Sequence, residues 1–129
     1  MFIIHKNSDL NSLLAGTFWL KGFEPFKFSN GYEGLTKYRT MGGKVDAIVV
    51  ELEIALDNDL LLIANMKRIN PNTKVLVVAG YEDSKNNKIY EYGTDEIVLV
   101  PTSPTDISDK ILLMISKRNV LESPTKDLV

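Results

Sequence analysis

Three short runs of apolar residues, most of them β-branched, constrain the fold of this chain more than any other feature of its sequence. They read AIVV, VLVV and IVLV and cover residues 47–50, 75–78 and 97–100. Runs of this kind, without alternating polar residues, are typical of parallel strands that are covered on both faces. Two further runs, at residues 2–4 and 25–28, precede them. The sequence therefore predicts five strands.

The intervals between these runs have the spacing of amphipathic helices. The first helix is marked by Leu10, Leu13, Leu14 and Phe18, the third by Leu60, Ile63, Ala64 and Lys67, and the last by Ile107, Ile111, Met114 and Ile115. Asn7 is one of three adjacent capping candidates for the first helix, which is expected to stop near Gly22. Weaker periodicity predicts the second and fourth helices at residues 32–39 and 84–92. Five strand–helix repeats predict an α/β fold, a doubly wound sandwich around a parallel sheet with right-handed crossovers.

Length and composition fit one ordinary domain. The chain has 129 residues and no cysteine, which excludes disulfides, thiolate zinc sites and a Cys nucleophile. Its formal net charge of -2, with scattered basic residues, argues against nucleic-acid binding. No segment is long enough to span a bilayer, so a cytoplasmic protein without membrane contact is expected. The domain is expected to cover residues 1–118. Residues 119–129, which contain Ser123-Pro124, are expected to be a tail or the start of a linker.

Functional residues in a sheet of this kind belong at the carboxyl ends of its strands. The residues predicted there are His5-Lys6-Asn7, Glu51, Ala79-Gly80 and Val100-Pro101. His5 is the only histidine, and with no cysteine to join it a structural role is favoured over metal ligation. No Ser-His-Asp arrangement is indicated either. Taken alone, these strand ends predict no catalytic residue.

Several connecting segments resemble those of response-regulator receiver domains, over roughly residues 2–118. The matching pieces are Gly22-Phe23-Glu24 before the second strand, residues 29–35 at the entry to the second helix, residues 70–75 before the fourth strand, and residues 93–96 and 101–104 around the fifth. No single segment is specific to receiver domains, but the order and spacing of the whole set are. The resemblance implies a sheet of order 2-1-3-4-5.

The residues that receivers use for phosphotransfer are replaced. The family has an acidic pair after strand one, a phosphoacceptor Asp ending strand three, a Thr or Ser ending strand four and a Lys-Pro ending strand five. Those positions fall here on His5 and Lys6, Glu51, Ala79, and Val100 with Pro101. One carboxylate beside one ammonium does not suit Mg²⁺, which prefers several carboxylate oxygens. The resemblance therefore implies no metal, no cofactor and no enzymatic activity here.

Lys6 and Glu51 follow strands that the resemblance places side by side. Because they carry opposite charges, we expect the Lys6 ammonium to occupy the vacated metal position and to pair with Glu51, although Glu53 competes for it. Glu51 could also act as a built-in mimic of a phosphorylated Asp. The alternative is that it is a polar strand end satisfied by neighbouring groups.

The functional expectation is a phosphorylation-independent receiver-like module of two-component-type signalling that acts by protein–protein contact. A flavodoxin-like domain that binds a small ligand at the same strand ends is one alternative. An atypical receiver that is still switched through Glu51 is another. A purified protein carrying a cofactor would favour the first alternative.

The expected partner surface is the face formed by the fourth predicted helix, the fifth strand and the last helix, which the resemblance implies is the usual contact face. The residues assigned to it are Tyr90, Tyr92, Ile97, Ile107 and Ile111. Aromatic residues are favoured at such interfaces. The partner is an unidentified signalling or output protein, and the sequence also leaves a homodimer through this face open.

Overall fold

The computed structural model describes residues 1–80, 87–100 and 102–122 of the chain. The strands are β1 (Phe2–Ile4), β2 (Phe26–Phe28), β3 (Ala47–Glu51), β4 (Lys74–Gly80) and β5 (Glu96–Val100). The helices are α1 (Ser8–Leu20), α2 (Gly31–Thr40), α3 (Leu52–Ala55), α4 (Leu62–Ile69) and α5 (Pro104–Glu122), and a 3-10 helix covers Asn87–Tyr92.

The five strands form one parallel sheet of order β2-β1-β3-β4-β5. This confirms the predicted fold class and strand order. The three runs that dominate the sequence form β3, β4 and β5, and the first two lie nearer the middle of the sheet, where their residues are buried on both faces. Pro25 is not part of β2, which begins at Phe26.

Alternate residues of the strands feed two hydrophobic clusters, one on each face of the sheet. One face carries Phe2, Ile4, Ile48 and Val50 under residues from α2 and α4, such as Tyr38 and Ile63. The other face carries Ile3, Val49, Leu76 and Val98 under α1 and α5 residues, including Leu14, Phe18, Ile107 and Ile111. The sheet is therefore covered on both sides, as its continuous apolar strands predict.

Side-chain caps fix where two helices begin. Asn7 accepts a hydrogen bond from the Leu10 amide at 3.0 Å, which confirms it as the cap of α1, and Asn30 caps α2 in the same way through Glu33 at 2.9 Å. The helix α1 ends at Leu20, and Gly22 follows with a φ of 92°, a conformation that glycine adopts without strain.

The predictions for the helices were wrong in two details. Leu13 does not face the core but is 56% exposed, and the buried positions of α1 are Asn11, Leu14 and Phe18. The third predicted helix starts at Leu62 rather than Leu60, because a separate one-turn helix follows β3 and Leu61 has left-handed backbone angles. Of the predicted fourth helix, only Asn87–Tyr92 lies within the described residues.

No helix in the described part of the chain is long and apolar enough to cross a membrane.

Candidate functional site

A pocket of about 300 Å³ lies at the carboxyl ends of the central strands. Its lining residues are His5, Leu10, Glu51, Leu52, Glu53, Val78, Ala79, Gly80 and Val100. Five of the residues predicted at the strand ends therefore come together: His5, Glu51, Ala79, Gly80 and Val100. Lys6 is not part of the lining, and Pro101 lies outside the described residues.

The parallel register explains why these residues meet. Ile4 pairs with Val50, so the next residue of each strand, His5 and Glu51, reaches the same edge of the sheet. Across the next two ladders, Glu51 pairs with Val78 and Gly80 with Val100. The carboxyl ends of β1, β3, β4 and β5 thus meet at one edge of the sheet.

Glu51 is the central charge of the pocket, and its side chain is only 14% exposed. One carboxylate oxygen, Oε1, accepts a hydrogen bond from the Lys6 backbone amide at 3.1 Å. The other, Oε2, lies 3.9 Å from Nε2 of His5, which is too far for a hydrogen bond but close enough for electrostatic contact. Glu51 is therefore held by a backbone amide and faced by an imidazole.

His5 is oriented by the residue that caps α1. The Asn7 backbone amide donates to Nδ1 of His5 at 3.0 Å, so in the neutral imidazole the proton sits on Nε2, facing Glu51. Burial lowers the pKa of His5 below its usual range, and the nearby Glu51 carboxylate only partly opposes this shift. The neutral form is therefore the one that the fold favours.

The expected ion pair between Lys6 and Glu51 is not formed, and that prediction was wrong. The Lys6 ammonium binds the Glu53 carboxylate instead, where the two side chains are 58% and 73% exposed. This hydrogen bond raises the pKa of Lys6. Pairing with Glu51 would take the ammonium out of water, and desolvation of that kind is costly. The exposed carboxylate of Glu53, two residues further along the chain, offers the same charge without this cost.

The remaining walls of the pocket are apolar. Ala79 is buried, and Val100 is half-buried at the end of β5. Neither residue can donate a hydrogen bond to an anion or neutralise one. Within the described residues, no group of three His, Cys, Asp or Glu side chains could hold a metal ion. One part-buried carboxylate and one that is paired with Lys6 do not fit the hard, oxygen-rich coordination of Mg²⁺.

Asn11 supports the site and was missed in the sequence. Its side chain is buried, and Nδ2 lies within hydrogen-bond distance of the carbonyls of Ile3 and His5 at 3.3 Å and of Phe28 at 3.0 Å. It thereby ties α1 to the ends of β1 and β2. The sequence does carry a signal for this role. Asn11 lies one turn after the Asn7 cap and has the same helical spacing as Leu14 and Phe18, so it is a polar residue on the apolar face of the first helix.

The predicted partner face is only partly at the surface. Tyr90 is 51% exposed, whereas Tyr92 and Ile97 are half-buried against the core. Ile107 and Ile111 are buried between α5 and the sheet, so their assignment to a contact surface was wrong. Ile107 and Ile111 are four residues apart and belong to the stripe of α5 that faces the core. Sequence periodicity identifies such a stripe but does not say which other elements cover it.

No family model and no curated protein sequence matches this chain. Solved structures do match it. A response regulator receiver domain protein from Clostridium thermocellum has a TM-score of 0.80 at 20% identity, covering 93% of this chain and 96% of that one. A CheY-like receiver domain protein from Methanospirillum hungatei JF-1 has a TM-score of 0.77 at 18% identity, with 92% and 94% covered.

A third match is the response regulator protein from Burkholderia pseudomallei whose structure contains a phosphorylated aspartic acid, a calcium ion and citrate. Its TM-score is 0.70 at 22% identity, and the match covers 96% of this chain and 72% of that one. The solved neighbours are thus response regulator receiver domains, and at these identities the likeness is one of fold.

Proposed function

We propose that this chain is a receiver-like signalling module of two-component-type regulation that works without phosphoryl transfer, through contact with another protein. Its fold is that of solved receiver domains, which supports the signalling role. The phosphorylation independence is supported by the chemistry of the pocket at the strand ends.

One observation carries the proposal: the environment of Glu51. Its carboxylate is held by the Lys6 amide and faces His5, and the lining of the same pocket includes the apolar residues Ala79 and Val100. Phosphoryl transfer depends on metal ions and positioned donors that neutralise the charge on the transferring group. The described residues of this pocket supply no acidic metal cage, and Ala79 and Val100 stand where a hydroxyl and a lysine would be needed.

The direct test is incubation of the protein with acetyl phosphate and Mg²⁺, followed by measurement of the intact mass. We expect no added phosphoryl group. A Mg²⁺-dependent gain of one phosphoryl mass on Glu51 would refute the proposal. Tryptophan fluorescence with beryllofluoride and Mg²⁺ gives a second measurement, in which we expect no change.

Glu51→Asp is the matched control for this experiment. It restores the ordinary phosphoacceptor while leaving His5, Lys6, Ala79 and Val100 in place. We expect this variant to stay unmodified as well, since the stabilising groups are still missing. Phosphorylation of the Asp variant alone would mean that only the acceptor is defective, and that the rest of the pocket remains competent.

A small-ligand site is the second candidate, and the pocket volume of about 300 Å³ is the observation that favours it. Small-molecule pockets begin at about this size and are mostly apolar with a few polar groups. Native mass spectrometry of the purified protein separates the two candidates. A retained ligand that is lost in Glu51→Gln would support the second.

A further inference from the structure

A second pocket, of about 220 Å³, lies at the carboxyl ends of β1 and β2. Residues of α1, β2 and α2 line it, and most of them are polar. Three of them are exposed serines, Ser8, Ser12 and Ser29. Among the described residues, His5 alone lines both this pocket and the one that contains Glu51. The second pocket is therefore a separate place in the fold, with hydroxyl groups where the first has apolar walls.

Asn11 is the buried member of this lining, and its side-chain amide is only half satisfied. Nδ2 lies within hydrogen-bond distance of three backbone carbonyls, those of Ile3, His5 and Phe28. A flipped amide would set oxygen against these three oxygens, so the remaining atom is Oδ1. Oδ1 is buried and has no hydrogen-bond partner among the described residues, in a side chain that is 4% exposed as a residue. A buried acceptor without a donor costs free energy, and a ligand that donates to Oδ1 would remove that cost.

Two opposite charges accompany Asn11 in the lining, and both belong to exposed residues. Lys27 lies on β2, and its ammonium donates to the Ser12 hydroxyl at 3.1 Å. Glu33 lies in the first turn of α2. In the part of the chain that the structure describes, neither residue forms an ion pair. Both charges are therefore available to a ligand.

These groups together favour a ligand that carries both an ammonium and a carboxylate. An inorganic anion would meet the Lys27 ammonium, but also the Glu33 carboxylate and the unpaired oxygen of Asn11. A simple amine would meet the two acceptors, but also the Lys27 ammonium. A zwitterion suits all three, because its ammonium has three N–H donors for Asn11 and Glu33 and its carboxylate accepts from Lys27 and the serine hydroxyls.

The size of the pocket restricts the ligand further. Pockets for drug-sized molecules range from about 300 to 1,000 Å³. The volume here, about 220 Å³, is below that range and suits a smaller molecule. An α-amino acid with a short side chain combines this size with both charges.

We infer that this pocket binds a small α-amino acid as its zwitterion, with the ammonium at Asn11 and Glu33 and the carboxylate at Lys27. The inference goes beyond the proposed contact with another protein and does not depend on it. Because the Asn11 amide also ties α1 to the ends of β1 and β2, the ligand binds the folded chain alone and stabilises it in proportion to occupancy.

The test uses three probes that differ by one charged group. L-Serine carries both charges, ethanolamine is serine without the carboxylate, and β-hydroxypropionate is serine without the ammonium. Titrations near neutral pH are followed by NMR of the Asn11 side-chain amide and of the backbone amides of residues 8–12 and 27–29. We expect L-serine to bind at least tenfold more tightly than either truncated probe and to shift the Asn11 side-chain signals.

Two substitutions assign the ligand's charges to their partners. Lys27→Met and Glu33→Gln each remove one charge at an exposed position, and each should weaken L-serine binding tenfold or more. Lys27→Met should also abolish the preference for L-serine over ethanolamine. Glu33→Gln should abolish the preference for L-serine over β-hydroxypropionate.

Two further variants serve as controls. Lys44→Met removes an exposed ammonium that precedes β3, at the opposite end of the sheet, and should leave the affinity unchanged. Glu51→Gln should also leave it unchanged, since Glu51 lines the other pocket. Loss of L-serine binding in Glu51→Gln would place the ligand there and overturn the inference. Equal affinity for the three probes, or no binding of L-serine at millimolar concentration, would overturn it as well. These titrations contain no phosphodonor, so their failure is distinct from that of the phosphorylation experiment.

Discussion

His5 and Glu51 face each other where β1 and β3 end, and the protonation of His5 is linked to folding. Glu51 is anchored by the Lys6 amide, and His5 is anchored through Nδ1 by the Asn7 amide. A second proton on His5 would have to sit on Nδ1, opposite the Asn7 N–H, and would remove that hydrogen bond. Geometry and burial therefore both favour the neutral imidazole.

Stability should fall as His5 is protonated. The pKa of His5 is lowered in the folded state, so below about pH 6.5, the value for an unperturbed histidine, the unfolded chain takes up protons first and is favoured. We expect the free energy of unfolding to decline from there through the folded pKa, and His5→Gln to flatten this decline. Urea unfolding of both proteins between pH 5 and pH 8 measures it. Parallel curves for the two proteins would contradict the assignment.

The Tyr38 hydroxyl completes a buried chain of hydrogen bonds. Thr73 donates through Oγ1 to the Val45 carbonyl at 2.7 Å, which leaves Oγ1 to accept from Tyr38 at 2.7 Å. We expect Tyr38→Phe to lower the free energy of unfolding by about 1 kcal/mol. Tyr32→Phe is the control, since Tyr32 is exposed on the same helix, and should change little. Denaturant unfolding of both variants tests the difference.

The segment between α3 and α4 is held in a strained conformation by its own polar groups. Leu61 has a φ of 49° and is the only non-glycine residue with positive φ in the described part of the chain. Asp57 accepts from the Asp59 and Leu60 amides, and the Asn65 side chain donates to the Leu60 carbonyl at 2.8 Å. These bonds fix the turn that separates the one-turn helix α3 from α4.

Two substitutions at Leu61 isolate the backbone strain. Leu61→Ala and Leu61→Gly both remove the side chain, but only glycine adopts this conformation freely. We expect the glycine variant to be more stable than the alanine variant by about 1 kcal/mol, the reverse of their order inside a helix. Urea unfolding compares them, and a more stable alanine variant would count against strain at this position.

The turn after α2 gives a second test at this scale. Gly43 has a φ of 74°, and a Cβ there would lie 2.9 Å from both Asn70 Cβ and Ile69 Cγ2. Gly43→Ala is therefore expected to destabilise the fold by more than about 1 kcal/mol. Gly16→Ala is the control, because it lies in α1 with open space around it and should stabilise by roughly 0.5–1 kcal/mol. Equal midpoints for the two variants would contradict this.

The molecule as a whole is organised around β1, β3 and β4. These strands have neighbours on both sides and residues in both hydrophobic clusters, whereas β2 and β5 are edges with half-buried residues. Opening a central strand exposes both clusters, while opening an edge breaks one ladder. The arrangement predicts a gradient of local stability across the sheet.

Hydrogen exchange should follow that gradient. We expect hydrogen-bonded amides of β3 and β4 to exchange most slowly, at rates that approach global unfolding, and those of β2 to exchange faster. Amide-resolved exchange by NMR measures both sets in one sample. Amides of β2 that are as protected as those of β3 would show that the edge does not open independently.

The sequence by itself determined the five strands, the first and last helices, and the place of the candidate site. The runs at β3, β4 and β5 predicted strands because continuous β-branched residues fit a sheet that is covered on both faces. The strand-end rule placed His5, Glu51, Ala79 and Val100 together. The first inference depends on a pattern of neighbouring residues, which is local, and the second on the rule that parallel strands end at the same edge of the sheet.

Tertiary structure decided which way the side chains face and with what they pair. Periodicity does not fix the angle of a helix about its axis, so Leu13 was assigned to the core that Asn11 enters, and Ile107 and Ile111 were assigned to a surface that they lie beneath. Lys6 pairs with Glu53 rather than with Glu51 because the stability of each ion pair depends on how much water the carboxylate retains. That quantity exists only once the strands have been brought together.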